Sequence, residues 1–456
     1  MKSFFIKTSL FYLIFALILN SVFISALKAE EGKSFLSLSD AVKKALENNP
    51  KTKAASFQAE ASRSRITQAR SGLLPQIYLN ETFNRTTNPM WVFGTKLNQE
   101  NIARSDFDPA RLNNPDYINN FITSVTFDWT LFDGGQTWIG LKQAKLENEA
   151  SFLMMERTRE EVVGQTATAY FGFLLANEHL DLIHHILDAA RAHFKMARSR
   201  FENGLTVKSD FLRAQVRVSE LEQELFAAES NLLIAKAMLC SVMGLSQCNS
   251  FEATTTLDAK AATEEQVDKL VEAALANRKD LKQLLFQESM AEEEVSKSQA
   301  GHLPSLHLIG NYEINSESLS DTADNYMVGA VMHLNLYSGQ RISGKTTEAR
   351  ALLEKIRAVK HELELGINIQ VRQAYYQAES SWKRIRVARE SILQAEENLR
   401  IIRKRYENGL LTIVNLMDAE SALKQSRTNH LKALHDYNIS TTQLQLAAGT
   451  INDNLK

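Results

Sequence analysis

His179, His184, His185 and His193 fall in one helical stretch of the sequence, and His430 and His435 in another. Histidines that share a metal ion on a helix stand at i and i+4, on one face. The spacings here are 5, 1, 8 and 5, so solvated imidazoles are expected and a metal site is not. Two cysteines, Cys240 and Cys248, are too few for a disulfide framework or a Cys-rich metal centre. In an oxidising compartment they can close a local disulfide across the helix stop at Gly244; a reactive or metal-binding thiol is the other reading. No Gly-rich phosphate loop, His-Glu-x-x-His pair or nucleophile elbow occurs. Asp133-Gly134-Gly135 reads as a strand-to-helix turn rather than a nucleotide site. Neither catalysis nor a bound cofactor is expected.

Composition narrows the field further. A net charge of −2 over 456 residues gives no basic field to attract a nucleic acid. A mean hydropathy of −0.25 excludes a bundle of transmembrane helices. Six prolines and 18 glycines are very few for this length. Both residues break helices, so their scarcity predicts long uninterrupted ones.

The first 29 residues read as a separate object. Lys2 and Lys7 flank an apolar run from Leu10 to Leu19 and on to Phe23 and Ile24; small residues follow at Ser25, Ala26 and Ala29, then Glu30 and Glu31. This is the order of a secretory signal peptide. Asn20 and Ser21 interrupt the run, which leaves it short of the roughly 20 residues a membrane anchor needs. No later stretch reaches 18 continuous apolar residues, so an exported chain with no helical anchor is expected.

The remainder is written twice. Gly72-Leu-Leu-Pro75 returns as Gly301-His-Leu-Pro304, 229 residues on. Leu131-Phe-Asp-Gly134 returns as Leu336-Tyr-Ser-Gly339, and Phe201-Glu-Asn-Gly-Leu205 as Tyr406-Glu-Asn-Gly-Leu410, both at an offset of 205. Met243-Gly244 matches Ala448-Gly449. These offsets far exceed a solenoid period. They divide the chain into a first repeat at 30–250 and a second at 251–456. The change of offset gives the first copy about 24 extra residues between Phe83 and Phe121, rich in Asn, Pro and Asp, which read as a long surface loop.

Each copy has the same plan. A helix runs from Leu38 to about Ser71, or from Glu264 to about Ala300, with Asp40 and Thr263 as candidate caps. Two alternating stretches follow, and then a very long helical pattern. In the second copy Ala378, Trp382, Ile385, Ala388, Ile392, Ala395, Leu399, Ile402 and Tyr406 recur at steps of three and four. Shifted back by 205 these become Phe173, Asn177, Leu180, Ile183, Leu187, Ala190, Phe194, Ala197 and Phe201. This is a coiled-coil-like seam. From Gly135 to Asn203 such a helix is roughly 100 Å long at 1.5 Å per residue. Asn203-Gly204 and Asn408-Gly409 are its stops. Return helices are expected over Ser209–Met243 and Val414–Ala447.

The alternating stretches are the informative part. Val125, Phe127, Trp129 and Leu131 point one way, and Ser124, Thr126, Asp128 and Thr130 the other. In the second copy Val328, Ala330, Met332, Leu334 and Leu336 alternate with Gly329, Val331, His333 and Asn335. Ile77, Leu79 and Phe83 share a face, as do Leu306, Leu308, Tyr312 and Ile314. Each stretch is about ten residues, enough for a tilted strand to cross a bilayer. A half-buried sheet of a soluble protein is the other reading, but no helical pattern directly covers the apolar face. Four strands cannot close a barrel, and an open edge cannot sit in lipid. Membrane strands here must therefore be pooled by several chains. Eight would fill their own lumen and twelve could leave a water path, so three chains are the smallest number that makes a conduit.

The export signal, the duplication, the Pro-then-strand-pair units, Leu131-Phe-Asp-Gly-Gly135 and the repeated Glu-Asn-Gly-Leu resemble the TolC family of outer-membrane efflux proteins, from about Ser34 to Gly449. The resemblance implies a mainly α fold with a membrane β-barrel contribution: a duplicated long-helix and β-hairpin repeat whose four strands per chain complete a 12-strand trimeric barrel, with an α-helical periplasmic tunnel. It implies a homotrimer in the outer membrane of a Gram-negative-type cell, contacting outer-membrane lipid. A periplasmic adaptor (membrane fusion) protein and an inner-membrane pump would be its partners, in an efflux or type I secretion system. The subunit itself would be a passive gated duct.

The resemblance also assigns residues. Asp418 falls on an acidic position at the periplasmic mouth, and Asn415 on one that is Asp in the founding member. Tyr406 and Asp210 match positions whose hydrogen bond helps hold the mouth shut, while Leu411 stands where that network has an Arg. Gly204 and Gly409 mark the helix turns near the entrance. From spacing alone Asp418 also reads as a solvated carboxylate, and Tyr406 as ordinary seam packing. A periplasmic coiled-coil adaptor is the alternative function; the chain lacks the Gly-rich β-domain usual in adaptors.

Overall fold

The computed structural model describes residues 34–246, 251–259 and 266–451. The expected leader at 1–29, the candidate cap Thr263 and the cysteine Cys248 lie outside the described residues. In chain order the elements are β1 (Ser34–Leu36), α1 (Leu38–Asn48), α2 (Pro50–Ser71), β2 (Gln76–Thr86), α3 (Pro89–Asn98), α4 (Pro109–Asn113), β3 (Ile118–Asp133), α5 (Gln136–Glu202) and α6 (Lys208–Val242). Then come β4 (Phe251–Ala253), α7 (Val267–Asn277), α8 (Lys279–Ala300), β5 (Ser305–Ser316), β6 (Thr322–His333), α9 (Arg341–Glu407) and α10 (Ile413–Ala448). The fold is mainly helical, and α5 and α9 run for 67 residues each.

The chain forms two compact units. One takes the residues up to Lys53, Arg159–Leu270 and Val371 onward; the other takes Ala54–Thr158 and Val271–Gln370. Each unit draws on both halves of the sequence.

In the first unit the expected seam is present. Phe173, Ile183, Leu187, Ala190, Ala197, Ala378, Leu399 and Tyr406 are buried. Two seam residues are exposed: Phe201, at 36%, and Trp382, which is 40% exposed and packs against Tyr437 at 5.2 Å. A short parallel pair, β1 with β4, was not signalled by any alternation. It is held by the buried Tyr170, whose hydroxyl donates to Leu36 O at 2.9 Å and meets Thr255 Oγ1 at 3.1 Å. Cys240 is buried beside Leu239 and Met243.

Two details of the opening helices differ from the sequence expectation. Each is interrupted, at Asn49 and at Arg278, because these residues turn their own backbones extended and hold the break with side-chain bonds. Asn49 Nδ2 donates to Val242 O at 2.7 Å and its Oδ1 accepts from Lys51 N at 2.8 Å. In the second unit the buried Arg278 binds Asp280 and Gln370. Burial pushes the Asp280 carboxyl up, but hydrogen bonds and charge from Arg278, aided by Arg157, hold it below the ordinary range. The cap of α1 is Ser37, not Asp40; Asp40 is the third residue of a capping box and returns the bond to Ser37.

The second unit carries an antiparallel sheet in the order β2-β3-β5-β6, open at both edges. Its register gathers the apolar residues of all four strands. Leu79, Val125, Tyr312 and Tyr326 form one cross-strand row; Ile77, Phe127, Gly310 and Val328 form the next. Trp129, Leu308 and Ala330 extend the same face. Asn80, Ser124, Glu313 and Asn325 make a row on the other face, and Tyr78, Thr126, Asn311 and Met327 another. Leu131 breaks the strict alternation: it is the extra residue of a bulge between Thr130 and Phe132. Strand β6 ends at His333, so Leu334 and Leu336 lie beyond it. The apolar face is bare. Ile77, Leu79, Val328 and Met332 are 69, 75, 78 and 67% exposed. Leaving four such side chains in water forfeits about 1.5–3 kcal/mol each, as much as a whole domain's net stability.

The extra segment of the first copy is not an open loop. Residues 87–117 fold into α3, a short 3-10 turn and α4. Among the described residues one helix, α6 of the first unit, is long and apolar enough to cross a membrane, against the expectation that no helix qualified. Its Leu212, Val216, Phe226, Leu233 and Met238 are exposed. No 18-residue apolar run is needed when charged residues are sparse rather than absent.

His430 Nδ1 on α10 is buried without a hydrogen-bond partner. Burial, and then the charge of Arg389, hold this imidazole below its ordinary value. A depressed histidine supports the fold above its unfolded pKa and loses that support as pH falls through its folded one. Lowering pH from 7 to 5 is expected to reduce the helical melting temperature, and His430→Gln to remove on the order of 1–2 °C of that fall. Parallel pH profiles for the two proteins, followed by circular dichroism, would discard the assignment.

Candidate functional site

The two helix turns of the first unit, 202–208 and 407–413, bring the sequence-predicted residues together. Gly204 and Gly409 adopt φ of +70° and +73°, a conformation that costs a residue with a Cβ about 1–2 kcal/mol. At each stop two backbone amides close the helix. Gly204 N donates to Phe201 O at 2.9 Å and Leu205 N to Arg200 O at 2.8 Å. Gly409 N donates to Tyr406 O at 3.0 Å and Leu410 N to Arg405 O at 2.9 Å. Asn203 and Asn408 add side-chain bonds to Ser199 O and Lys404 O. Leu205 and Leu410 are left exposed at the tips.

Beneath the turns α5, α6, α9 and α10 share a core of Ala197, Ala214, Leu399, Tyr406, Ile413, Leu416 and Ala419. Phe211 stacks between Phe194 and Phe201, with centroids 5.6 Å from each.

Tyr406 is buried in this core, and its main polar neighbour is Arg200. The guanidinium carbon stands 4.9 Å from the Tyr406 ring centroid. Arg200 also donates to Tyr406 O at 3.4 Å and Glu407 O at 3.1 Å. A cation from the first turn thus caps the last carbonyls of the second long helix. Burial pushes the Tyr406 phenol above its ordinary value and the Asp210 charge acts the same way, with Arg200 opposing. The phenol therefore stays protonated at physiological pH. Asp210 is near enough for its charge to reach Tyr406, but its Oδ2 accepts from Thr206 Oγ1 at 3.0 Å. The closing contact between the turns falls to Arg200 and Tyr406.

Asn415 completes a capping box on α10: its Oδ1 accepts from Thr412 Oγ1 at 2.9 Å and from Thr412 N at 3.3 Å. Asn415 and Asp418 lie three residues apart and are both exposed, so they share one helix face. Leu411 is half-buried between them and the tip.

Two contributors escaped the sequence reading. Arg200 sits in the last turn of α5, where a cation by default serves its own helix end; nothing in the pattern says that it reaches the neighbouring one. His193 was expected to be solvated, as His184 and His185 are. Instead its Nε2 stands 2.7 Å from Glu420 Oε1 on α10, with both side chains mostly buried, a close approach in which Glu420 Oε1 accepts no hydrogen bond. Neither residue lies on a repeated motif. Among the described residues no group of three His, Cys, Asp or Glu side chains could hold a metal ion. The site offers helix ends, a cation-aromatic lock and exposed carboxylates.

Residues 41–245 and 270–450 match the family described as outer membrane efflux protein. The outer membrane protein TolC of Vibrio cholerae is 25% identical over 427 residues, covering 91% of both chains. The alkaline protease secretion protein AprF of Pseudomonas aeruginosa is 24% identical and covers 92% of this chain and 85% of its own. Among solved structures, the CmeC outer membrane channel of Campylobacter jejuni superposes with a TM-score of 0.78 at 16% identity, over 91% of this chain and 86% of that one. The open state of the MtrE outer membrane channel of Neisseria gonorrhoeae gives 0.75 at 17% identity, over 91% and 89%. These likenesses fix the fold.

Charge-assisted hydrogen bonds of the kind Arg200 makes contribute about 1.5–3 kcal/mol each. Arg200→Ala is expected to speed amide hydrogen exchange across 407–413 by about tenfold, with Arg200→Lys falling between. Exchange that stays at the parent rate in both variants would show that Arg200 does not secure the second turn.

Proposed function

This chain belongs to the family of outer membrane efflux proteins, and on that premise we propose how it builds its conduit. The protein is an outer-membrane channel of the efflux and type I secretion class, with a helical periplasmic extension. The adaptor alternative finds no support, since the family matched is that of the channel.

Three copies pool their sheets. The single observation that carries this is the sheet itself: four antiparallel strands with two open edges and one bare apolar face. In hydrocarbon each unpaired edge N–H or C=O costs several kcal/mol, so only a closed barrel is tolerated. An even number of alternating strands lets β6 of one copy pair antiparallel with β2 of the next, and three copies give twelve strands. The apolar rows then face lipid and the polar rows line the lumen. Sister subunits likewise cover the exposed apolar face of α6 in the periplasmic part. The two-fold plan, 30–250 and 251–456, supplies staves of matching length, as the equal α5 and α9 indicate.

The periplasmic mouth lies at the turns marked by Gly204 and Gly409. Asn415 and Asp418 present one polar face there, so three Asp418 carboxylates around an axis would concentrate cations at the entrance. Tyr406 and Arg200 hold the turns together behind that ring, while Asp210 braces its own turn through Thr206. Energy and cargo selection come from an inner-membrane pump, linked through a periplasmic adaptor.

Purified from outer membranes, the protein is expected to run as a heat-modifiable trimer and to conduct cations in planar bilayers. Asp418→Ala should raise conductance severalfold and weaken block by divalent cations. A water-soluble monomer would overturn the reading, whereas unchanged divalent block in a conducting trimer would remove only Asp418 from the mouth.

A further inference from the structure

The first hairpin and the second are built differently. Strands β5 and β6 are joined by the five residues 317–321, but β2 and β3 by the folded segment 87–117. That segment has its own framework. Asn88 caps α3 by accepting from Met90 N and Trp91 N, with Pro89 at the first helical position. Lys96 pairs with Asp106 at 2.7 Å, and Phe93 meets Phe107 edge-on at 5.7 Å. Val92 is buried.

Its position is more telling than its order. Helix α3 follows β2, one edge of the sheet, yet it approaches β3 and also β6, the opposite edge. It therefore crosses the sheet. The face it crosses is identified by what it buries. Ile118, Asn120, Asn315 and Ala323 are at most 7% exposed. Asn315 pairs with Ile122 and with Ala323, and Ile118 and Asn120 alternate in step with Ile122, so all four belong to the polar face. Gln99 Nε2 bonds the segment down, donating to Asn119 O at 2.8 Å and Asn120 Oδ1 at 2.9 Å. Asn120 Nδ2 in turn donates to Asn315 Oδ1 at 2.7 Å. Gln99 Oε1, Asn315 Nδ2 and Asn325 Nδ2 lie buried beside this chain with no partner among the described residues, so the layer is rich in amides.

The covered rows are those nearest the hairpin turns, the strand ends remote from α2 and α8. We propose that residues 88–116 are a lid on the inner wall of the barrel's outer mouth, a second constriction that keeps bulky solutes outside the cell from entering the conduit. The inference rests on the trimeric barrel, because only closure turns the polar face into an inner wall. A helix with its side chains is roughly 10 Å across, and a twelve-stranded lumen lies between one filled by side chains and an open porin channel. Three such inserts cannot share it without meeting. Met90 and Trp91, 83 and 70% exposed, are the apolar surface with which the sister lids close on one another. An apolar constriction of this kind passes water poorly until the lids part.

The test places a reporter beneath the lid. Ser124, on the polar face between Asn80 and Glu313, is changed to Ser124→Cys in the full chain. Intact cells are treated from outside with a bulky polyethylene glycol maleimide and, separately, with a small sulfonated one. The chain without the new thiol gives the background labelling. With the lid present, the bulky reagent should lag the small one. Replacing residues 88–116 by a five-residue Gly-Ser turn should speed bulky labelling by about tenfold and change the small reagent less. If that variant fails to assemble, Val92→Asp puts a charge into the lid's buried side and should act in the same direction. Heat-modifiable trimer is measured on every sample. Equal bulky labelling with and without the lid, in assembled trimers, overturns the lid; a parent chain that forms no trimer overturns the barrel on which it rests.

Discussion

Unpaired backbone hydrogen-bonding groups are the constraint on which the rest of this protein turns. The four-stranded sheet satisfies its interior ladder and leaves two edges open, β2 and β6. In water such edges are an aggregation hazard, and in lipid they are prohibitive. The bare rows of Ile77, Leu79, Val328 and Met332 make water costly as well. Each fact alone admits another remedy: a helix could cover an apolar face, and a charged edge strand could be tolerated. Together they are what the proposed closure with sister sheets answers.

The helix turns follow a different logic. They are far from the strands in sequence, and they are built to be held rather than buried. Glycine at positive φ ends each long helix, and the two ends are secured by side chains that cross between them. Arg200 does so from α5 to the end of α9, through a cation-aromatic contact and two carbonyl bonds. Polar ties of this sort contribute modest free energy against the burial around Leu399, Ile413 and Leu416. That balance is what the proposed mouth would need, opening without unfolding the helices packed beside it.

Much of the fold was legible because its signals are long. Nine seam positions at steps of three and four need no tertiary information, and the strand alternation is visible because the sheet has one apolar face. The failures have identifiable causes. A bulge moved Leu131 out of phase, and a bulge leaves no mark in a strand of β-branched and aromatic residues. The break at Asn49 has a sequence signal that was passed over, since Pro50 disfavours helical backbone at the residue before it; the break at Arg278 depends on Asp280 and on Gln370, remote in sequence. The site was legible only where it repeats. The Glu-Asn-Gly-Leu turns announced themselves, and Asn415 and Asp418 came from resemblance. Arg200 and His193 act across helices that the sequence places side by side but not in register, so no spacing rule could assign them.

The two copies, compared at their offset of 205, diverge where a conduit needs asymmetry. Staves of a barrel and of a tunnel must match, and α5 and α9 do so residue for residue in length. A mouth cannot be built from matching parts alone. Position by position, Tyr406 stands against Phe201, Asn415 against Asp210, and Asp418 against Arg213. One turn carries the phenol and the exposed carboxylate; the other carries Arg200, the cation that grips the phenol. Each turn keeps one carboxylate, Asp210 in the first and Asp418 in the second, and the position of Asp418 is held in the first copy by the cation Arg213. The outer end is unequal as well: of the two hairpins only the first carries a folded insert, which serves as the proposed lid.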